Sequence, residues 1–529
     1  MRVVTSSEMK EIEKRSFEEF GFSEAMVIEN VGLRGADYIS GQFLEEDSFS
    51  EIVVMVGRGN NGADGLAIAR HLANRGGEVR AFCMFDESEC SQELLVQKKL
   101  AFEFGVKINE IRDVESLQDY FTQSGGHYLV IDAILGMGFR LPLSNYLFDA
   151  VGTINEHAAV VVAIDLPTGV TADHGETGGA AIEATMTLAI GLPKTGHYVD
   201  DGAQHSGMVA VLDAGFPVQL LEGGDTALLT HEGITNIYRP RNKFAHKNTF
   251  GHCLVVGGSQ GLTGALMMAS QSALKVGTGL VTASTWEENY AELASRSIPE
   301  IMTGTVPTEP VDVKETIRAL GRYDAIVVGP GMSRTDRTRN AVIDVLDNFY
   351  GPVIIDADAI RALSLEKDLE LLRTRRGQTI FTPHIGEFAA FAGLSTAEVL
   401  KDPIGKLKEM VDKTNSCIIL KGACTYLGFP TGEVFINYYP NDGMASGGSG
   451  DVLAGMIGGL AAQNAPDPSK SGIFQGAEQG KFFQSICLAV AAHTLAGKFA
   501  ADKLGERSMT ATSIIDHLPD AFREMGGHE

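Results

Sequence analysis

Basic residues are scarce in this chain. Its 529 residues carry 43 lysines and arginines against 68 aspartates and glutamates, a formal net charge of −25 at pH 7. No basic cluster or stripe relieves the deficit, which argues against nucleic acid and anionic membranes as partners. The same charge repels phosphorylated ligands. Any phosphate site must therefore draw on local positive potential from helix N-termini, amide nests, a bound cation or isolated lysines. Cysteine is also sparse: Cys83, Cys90, Cys253, Cys417, Cys424 and Cys487 are scattered, with no C-x-x-C pair. They read as reduced thiols, and His246, His252 and Cys253 in HKNTFGHC lack the partner pair that a zinc site needs. No run approaches the length of a membrane span, and the charged start MRVVTSSEMKEIEKR has no apolar leader segment. A soluble, cytoplasmic protein without tandem repeats is expected.

With 44% hydrophobic and 21% charged residues the composition is that of a folded chain. Its length exceeds one ordinary core, so two or more domains are expected. SSEMKEIEKRSFEEF and SEAMVIENVGLRGADYI carry apolar residues at helical spacing behind serine caps. EIVVMVG (51–57), EVRAFCMF (78–85), HYLVIDAILGMG (127–138) and AAVVVAIDLPTG (158–169) are short apolar runs that end in polar or glycine-rich tips. Continuous hydrophobicity implies strands covered on both faces, hence a parallel sheet. Ligands bind such sheets beyond the carboxyl ends of the strands, where Asn60, Asn61, Asp64, Asp132, Asp165 and Thr168 converge. Residues 218–228, rich in turn formers, mark a domain boundary. The strand-then-tip pattern restarts with CLVVGGSQGLTGA, AIVVGPGM, PVIIDADAI, TIFTPHIGE and CIILKGACT. The expected fold class is α/β, with two domains (1–222 and 228–529), each a mainly parallel sheet sandwiched by helices.

The most informative stretch is NDGMASGGSGD (441–451), followed at once by the small-residue helix VLAGMIGGLAAQ. Backbone N–H groups at this helix mouth form an anion cradle. Asp451 just beyond it can take a proton from a substrate hydroxyl while the amides stabilise charge on a transferring phosphoryl group. The plainer alternative is a tight glycine turn. Lys421 and Thr425, at the end of CIIL, place a cation and a hydroxyl near such a phosphate, although an isolated strand-end lysine is usually only solvated. Gly57–Gly62 matches G-x-G-x-x-G after a strand, with Asp86 where a ribose-binding acid falls. A structural Asn-Gly turn explains the loop equally well. Asp132, Asp165, Asn61 and Thr168 make an all-oxygen set suited to a hard cation or to a base acting on a sugar or pyridine ring, with helix capping the alternative for each alone. His384 in TPHIGE, judged on chemistry alone, is an ordinary lone histidine.

Taken together, GRGNNGADG, VIDAILGMG, AIDLPTG, LTGA, VGPGM, DADA, TPHIGE, LKGACT and NDGMASGGSGD resemble, in this order, the bifunctional NAD(P)H-hydrate repair family. That family joins a Rossmann-like YjeF N-terminal epimerase domain to a ribokinase-like dehydratase domain. The resemblance implies that the first domain epimerises (6R)- and (6S)-NADHX and NADPHX. Asn60, Asn61, Gly62, Ala63 and Asp64, with the loop Gly136, Met137, Gly138, Phe139, Arg140, Leu141 and Pro142, would hold the dinucleotide. Asp165 would be a catalytic contact to the hydrated ring, and Asn61, Asp132 and Thr168 would ligate potassium. It also implies that the second domain dehydrates the (6S) form with magnesium and ADP, ATP being the alternative, and with Asp451 as the activating base. Lys421, Gly422, Ala423, Cys424, Thr425 and Gly450 would bind the nucleotide, and Ala265, Gly331, His384 and Asp451 the hydrate. A homo-oligomer is expected. Ala63 departs from the glycine common in relatives, and Asn248 follows Lys247 where many have glycine. A ribokinase-superfamily small-molecule kinase with an N-terminal dinucleotide-binding platform is the alternative.

Overall fold

The computed structural model describes residues 1–44, 49–306, 319–466 and 473–526. The chain divides into two compact units, Arg2–Thr226 and Met1 with Ala227–Glu529.

The first unit is built on seven strands: β1 Glu51–Val56, β2 Val79–Cys83, β3 Lys107–Glu110, β4 Tyr128–Ala133, β5 Ala158–Ile164, β6 Met186–Ile190 and β7 Met208–Leu212. Their order is β3-β2-β1-β4-β5-β6-β7 and every pairing is parallel. β4 is buried along its whole length, as its unbroken apolar sequence requires. Chain direction across the sheet reverses between β1 and β4, so the connections leaving these strands part and open a crevice at their carboxyl ends. Gly57 lets the two tips approach: a Cβ there would lie 1.8 Å from the Ile134 carbonyl oxygen. Ala63 falls inside the following helix, Asn60–Asn74, and is not among the residues of positive φ, so alanine fits without strain. The helix Ser6–Phe20 carries a Thr5/Glu8 capping box. It is pinned by Ser6, whose backbone N and hydroxyl donate to Asp173 at 2.5 and 2.7 Å.

The second unit holds a ten-stranded sheet. In chain order its strands are β8 Thr226–Leu228, β9 His252–Val256, β10 Leu280–Trp286, β11 Met302–Val306, β12 Ala325–Val328, β13 Val353–Ile355, β14 Thr379–Phe381, β15 Cys417–Leu420, β16 Cys424–Gly428 and β17 Val434–Tyr438. The spatial order is β11-β10-β9-β12-β13-β14-β15-β16-β17-β8, parallel from β11 to β15 and antiparallel through β15-β16-β17. The helix Ser449–Gln463 is buried almost throughout. Its glycines let it press against the helix Thr263–Lys275: a Cβ on Gly455 would lie 2.0 Å from the Ala269 carbonyl oxygen, beside a Ser272 hydroxyl that donates to the Val452 carbonyl at 2.8 Å. Gly455→Ala is therefore expected to destabilise this unit by about 3 kcal/mol through overpacking, measurable as a lower denaturation midpoint.

One sequence expectation needs correction. The stretch Gly476–Leu504 of the helix Ile473–Leu504 is long and apolar enough to cross a membrane, with mean hydropathy 1.2 in its best window. Interspersed glutamine, serine, histidine and lysine disguise it as an ordinary amphipathic sequence. In the fold it serves as a core helix, burying Phe482, Ile486, Val490 and Ala496.

Candidate functional site

At the carboxyl ends of β1, β4 and β5 lies a cavity of about 760 Å³. Asn60, Asn61 and Asp64 reach it from the first turn of the Asn60–Asn74 helix, and Asp165 reaches it from the tip of β5. Gly136, Met137, Gly138, Phe139, Arg140 and Pro142 line it from the loop after β4, whereas Gly62, Ala63 and Leu141 are not lining residues. Asp86 does not approach a ribose position. Its carboxylate pairs with Arg112 at 3.3 Å on the surface, and the neighbouring Phe85 lines the cavity instead.

Three of the expected oxygen donors meet at the strand tips. Asp132 is 0% exposed and accepts from Ile134 N at 3.2 Å, from the Thr168 hydroxyl at 2.7 Å and from Thr168 N at 2.7 Å. Burial pushes its carboxyl up to about 6, even though these donors act in the opposite sense. The Thr168 hydroxyl accepts from Leu135 N at 3.0 Å, while Asn61 Nδ2 donates to the Leu135 carbonyl at 3.0 Å. Among the described residues, Asn61 Oδ1 is buried without a partner. A carboxylate, a hydroxyl and an orphaned amide oxygen held together by one loop suit a hard cation.

The sequence reading missed a buried charge of this site. Lys194 is 1% exposed, and its ammonium donates to Asp165 Oδ1 at 2.5 Å and to the Ile190 carbonyl at 2.9 Å. His197 Nδ1 accepts from Lys194 N at 3.0 Å, so the imidazole proton sits on Nε2 and is donated to the Asp165 carbonyl at 2.7 Å. Burial, with the Lys194 charge adding to it, pushes His197 down to about 4, and the ring is neutral. This clamp holds Asp165 at φ +64°, left-handed backbone that a non-glycine residue rarely adopts. The signal was in view: an apolar run, MTLAI, followed by a glycine turn with lysine and histidine three residues apart.

In the second unit, Gly448 caps the Ser449–Gln463 helix at φ +99° and supplies no side-chain capping bond; Ser449 N donates to the Ser446 carbonyl at 3.3 Å, which leaves the Gly450 and Asp451 amides for a ligand. Asp451 stands in that turn. Among the described residues its carboxylate has no hydrogen-bond or ion-pair partner. Burial, reinforced by Asp356 and opposed by Lys421, pushes it up to about 7. The Lys421 ammonium donates to Asp356 Oδ1 at 3.0 Å, and the Thr382 hydroxyl donates to the same oxygen at 2.7 Å. A Cβ on Gly450 would sit 3.0 Å from Lys421 Nζ, so the absent side chain lets the lysine reach the helix mouth. His384 and Lys421 pair in a parallel bridge. His384 Nδ1 accepts from Gly386 N at 3.0 Å and Glu387 N at 3.3 Å, which places the ring proton on Nε2, in a side chain 51% exposed.

Gly331, at φ +65°, packs against the Ala265 methyl, and Gly448 abuts Met268 on the same helix. Gly422 and Ala423 turn between β15 and β16. Thr425 follows on β16, opposite Asn437, while the Cys424 side chain is buried and offers a ligand only its backbone. His493 was also missed. It is buried on the long helix, donates from Nε2 to the Ser449 carbonyl at 3.0 Å and is pushed down to about 4 by burial, so it fixes the turn that carries Asp451 as a neutral ring. A further cavity of about 1120 Å³ lies over β9–β11 and the helix Asp336–Asn348, and none of these strand-tip residues lines it.

An open parallel sheet with a polar crevice at its switch point, joined to a second α/β unit with an amide cradle, a lysine and an unpaired aspartate, defines a two-site enzyme for phosphate-bearing ligands. Residues 253–520 match the family described as NAD(P)H-hydrate dehydratase, and residues 24–196 the family described as YjeF-related protein N-terminus. A bifunctional NAD(P)H-hydrate repair enzyme of Moorella thermoacetica is 33% identical over 99% of this chain and 97% of its own length. That of Escherichia coli is 30% identical over 88% and 83%. A Bacillus subtilis ADP/ATP-dependent NAD(P)H-hydrate dehydratase, co-crystallised with ATP and Mg²⁺, is 28% identical and covers 56% of this chain and 98% of its own, with a TM-score of 0.47. The chain belongs to the bifunctional NAD(P)H-hydrate repair enzyme family.

Proposed function

We propose that this protein returns hydrated nicotinamide cofactors to service in two steps. Residues 1–222 interconvert the (6R) and (6S) forms of NADHX and NADPHX, and residues 228–529 dehydrate the (6S) form at the expense of ADP or ATP. The observation that carries this reading is Asp451: a half-buried carboxylate with no partner among the described residues, in the first turn of an uncapped helix beside Lys421.

In the second domain Asp451 takes the proton of the C6 hydroxyl as its oxygen attacks the terminal phosphoryl group. Lys421 and the first-turn amides offset the charge that develops on the phosphoryl oxygens. The phosphorylated oxygen then departs as phosphate, driven by the ring nitrogen lone pair, and loss of a C5 proton restores the dihydropyridine. Gly422, Ala423, Thr425 and Gly450 line the nucleotide position, while Ala265, Gly331 and the Nε2–H of His384 face the hydrate. Magnesium carried by the nucleotide phosphates would supply charge neutralisation there. In the first domain, Asn61, Asp132 and Thr168 would hold potassium, a role supported by the orphaned Asn61 oxygen. Cys83, Cys90, Cys253, Cys417, Cys424 and Cys487 are all unpaired, which supports a reducing compartment.

The test is direct. Chemically prepared hydrate is incubated with ADP or ATP and magnesium, and the return of dihydronicotinamide absorbance is followed. Accumulation of a phosphorylated product without that absorbance would identify a small-molecule kinase instead. The pH dependence is also set. Asp451 acts as the ionised base and its carboxyl is raised to about 7, so dehydratase kcat/KM is expected to rise with pH through about 7 and then level off. A profile flat across neutrality would count against Asp451 as the base.

A further inference from the structure

Among the charged groups lining the first cavity without a task in the reading above, two interact with Asp165. Lys194 is one. Two of its three N–H donors are engaged, by Asp165 Oδ1 and the Ile190 carbonyl, and the residue is part of the cavity wall. Asp165 Oδ1 is occupied by that ammonium at 2.5 Å. Asp165 is thus placed to orient Lys194, with His197 locking its backbone.

Glu13 is the other. It projects from the Ser6–Phe20 helix, ahead of the residues 24–196 that match the family, and lines the same cavity. Among the described residues its carboxylate has no hydrogen-bond or ion-pair partner. The charged groups facing it are Lys194, Asp165, Glu24 and Lys10. Asp64, also on the cavity wall, interacts with Glu13, Asp165 and Lys194. Burial raises its own carboxyl well above the ordinary range. Glu24 also lines the cavity, but from an exposed position, so Glu13 is the half-buried cavity carboxylate without a partner among the described residues; burial pushes it up to about 7, and the Lys194 charge opposes this only in part.

Building on the epimerase reading of this domain, we infer that Glu13 and Lys194 are its two proton-transfer residues, Glu13 serving the C6 hydroxyl and Lys194 the ring nitrogen. C6 of the hydrate bears the ring nitrogen, a hydroxyl and a hydrogen. Its C–H bond adjoins no carbonyl and is not acidic. Breaking the C–O bond leaves a cation open to water on either face and to loss of a C5 proton, a route that exchanges the C6 oxygen with water and diverts substrate to the dihydropyridine.

The C–N bond remains. Glu13 takes the hydroxyl proton and the O–H electron pair becomes the C6=O bond. The C6–N1 pair withdraws to N1, which takes a proton from Lys194. The ring is now an open aldehyde bearing an enamine N–H. Rotation about C5–C6 turns the other aldehyde face toward N1. N1 closes on C6, its proton returns to Lys194, and Glu13 returns a proton to oxygen. Nothing is oxidised, reduced or consumed.

The test uses the full-length chain without nucleotide, so that dehydration is silent. (6R)-hydrate is supplied, the epimers are separated by chromatography, and kcat and KM are measured across the pH range around neutrality. For the parent, the rate is expected to rise with pH through the Glu13 titration near 7. Glu13→Gln is expected to lower kcat by ~100- to 1000-fold with KM little changed, and to abolish that rise. Lys194→Arg keeps the charge and the pair with Asp165 but cannot yield a proton, so it is expected to be folded and similarly slow. Substrate carrying heavy oxygen at C6 should keep its label through inversion.

Parent-like turnover and pH dependence in Glu13→Gln, parent-like turnover in Lys194→Arg, or loss of label to water at the rate of inversion would each overturn the inference while leaving the epimerase reading intact. A parent chain that does not interconvert the epimers would overturn both.

Discussion

Asp451→Asn is expected to slow nucleotide-dependent dehydration by ~10³-fold, because it removes general-base activation of the hydroxyl while leaving the amide cradle in place. Asparagine is nearly the same size as aspartate. Gly448, Gly450, Lys421 and the clamp from His493 do not depend on the Asp451 charge, so nucleotide should still bind, as titration calorimetry can verify. Epimerisation by the first domain of the same protein should be unchanged and provides an internal control. A variant that dehydrates within about tenfold of the parent would mean that another group takes the proton, and the assignment of this aspartate would fall.

Asp132→Ala is expected to be the most damaging single change in the first domain. The substitution leaves Ile134 N, Thr168 N and the Thr168 hydroxyl without their acceptor at a position fully removed from solvent. Orphaned buried donors and the loss of a buried charged group set the expected destabilisation at about 3–5 kcal/mol. Denaturant unfolding followed for this domain should show an earlier midpoint, and epimerase activity should go with it. The linkage to pH has a definite sign. The Asp132 carboxyl is raised to about 6 in the folded chain from an ordinary 3.8, so the folded state holds this proton more tightly than the unfolded one. Its contribution to stability is fully present below the ordinary value and is lost as pH rises through about 6. A cation bound beside it would offset that loss. Potassium is therefore expected to raise the midpoint of the parent at neutral pH and to leave Asp132→Ala unmoved.

Strand-tip residues were legible in the sequence because each ends an unbroken apolar run. Asp132 lies near the end of β4 and Thr168 follows β5, and the parallel pairing of these strands brings them into contact across 36 residues of chain. Lys194 was not legible for the opposite reason. A buried ammonium is intelligible only with its partner in sight, and Asp165 lies 29 residues earlier, on another strand's tip. Glu13 looked like one more acid on a charged amphipathic helix, and only the folded arrangement turns it toward a cavity. His384 read as ordinary on chemistry alone, because the helix its ring caps through Nδ1 is visible only in the fold. The hairpin of β16 and β17 escaped notice because CTYLG and VFINY are short and lack the aspartate or glycine tips that marked the parallel strands. The long helix at Gly476–Leu504 was overlooked because single polar residues broke up an apolar average.

The bond from His493 to the Ser449 carbonyl joins two roles usually kept apart. A helix whose sequence looks like generic interior filler also anchors the turn from which the reaction starts, and it does so through one ring proton. Inheritance of that helix is thereby inheritance of a catalytic alignment, and changes that merely preserve its oiliness do not preserve what it does.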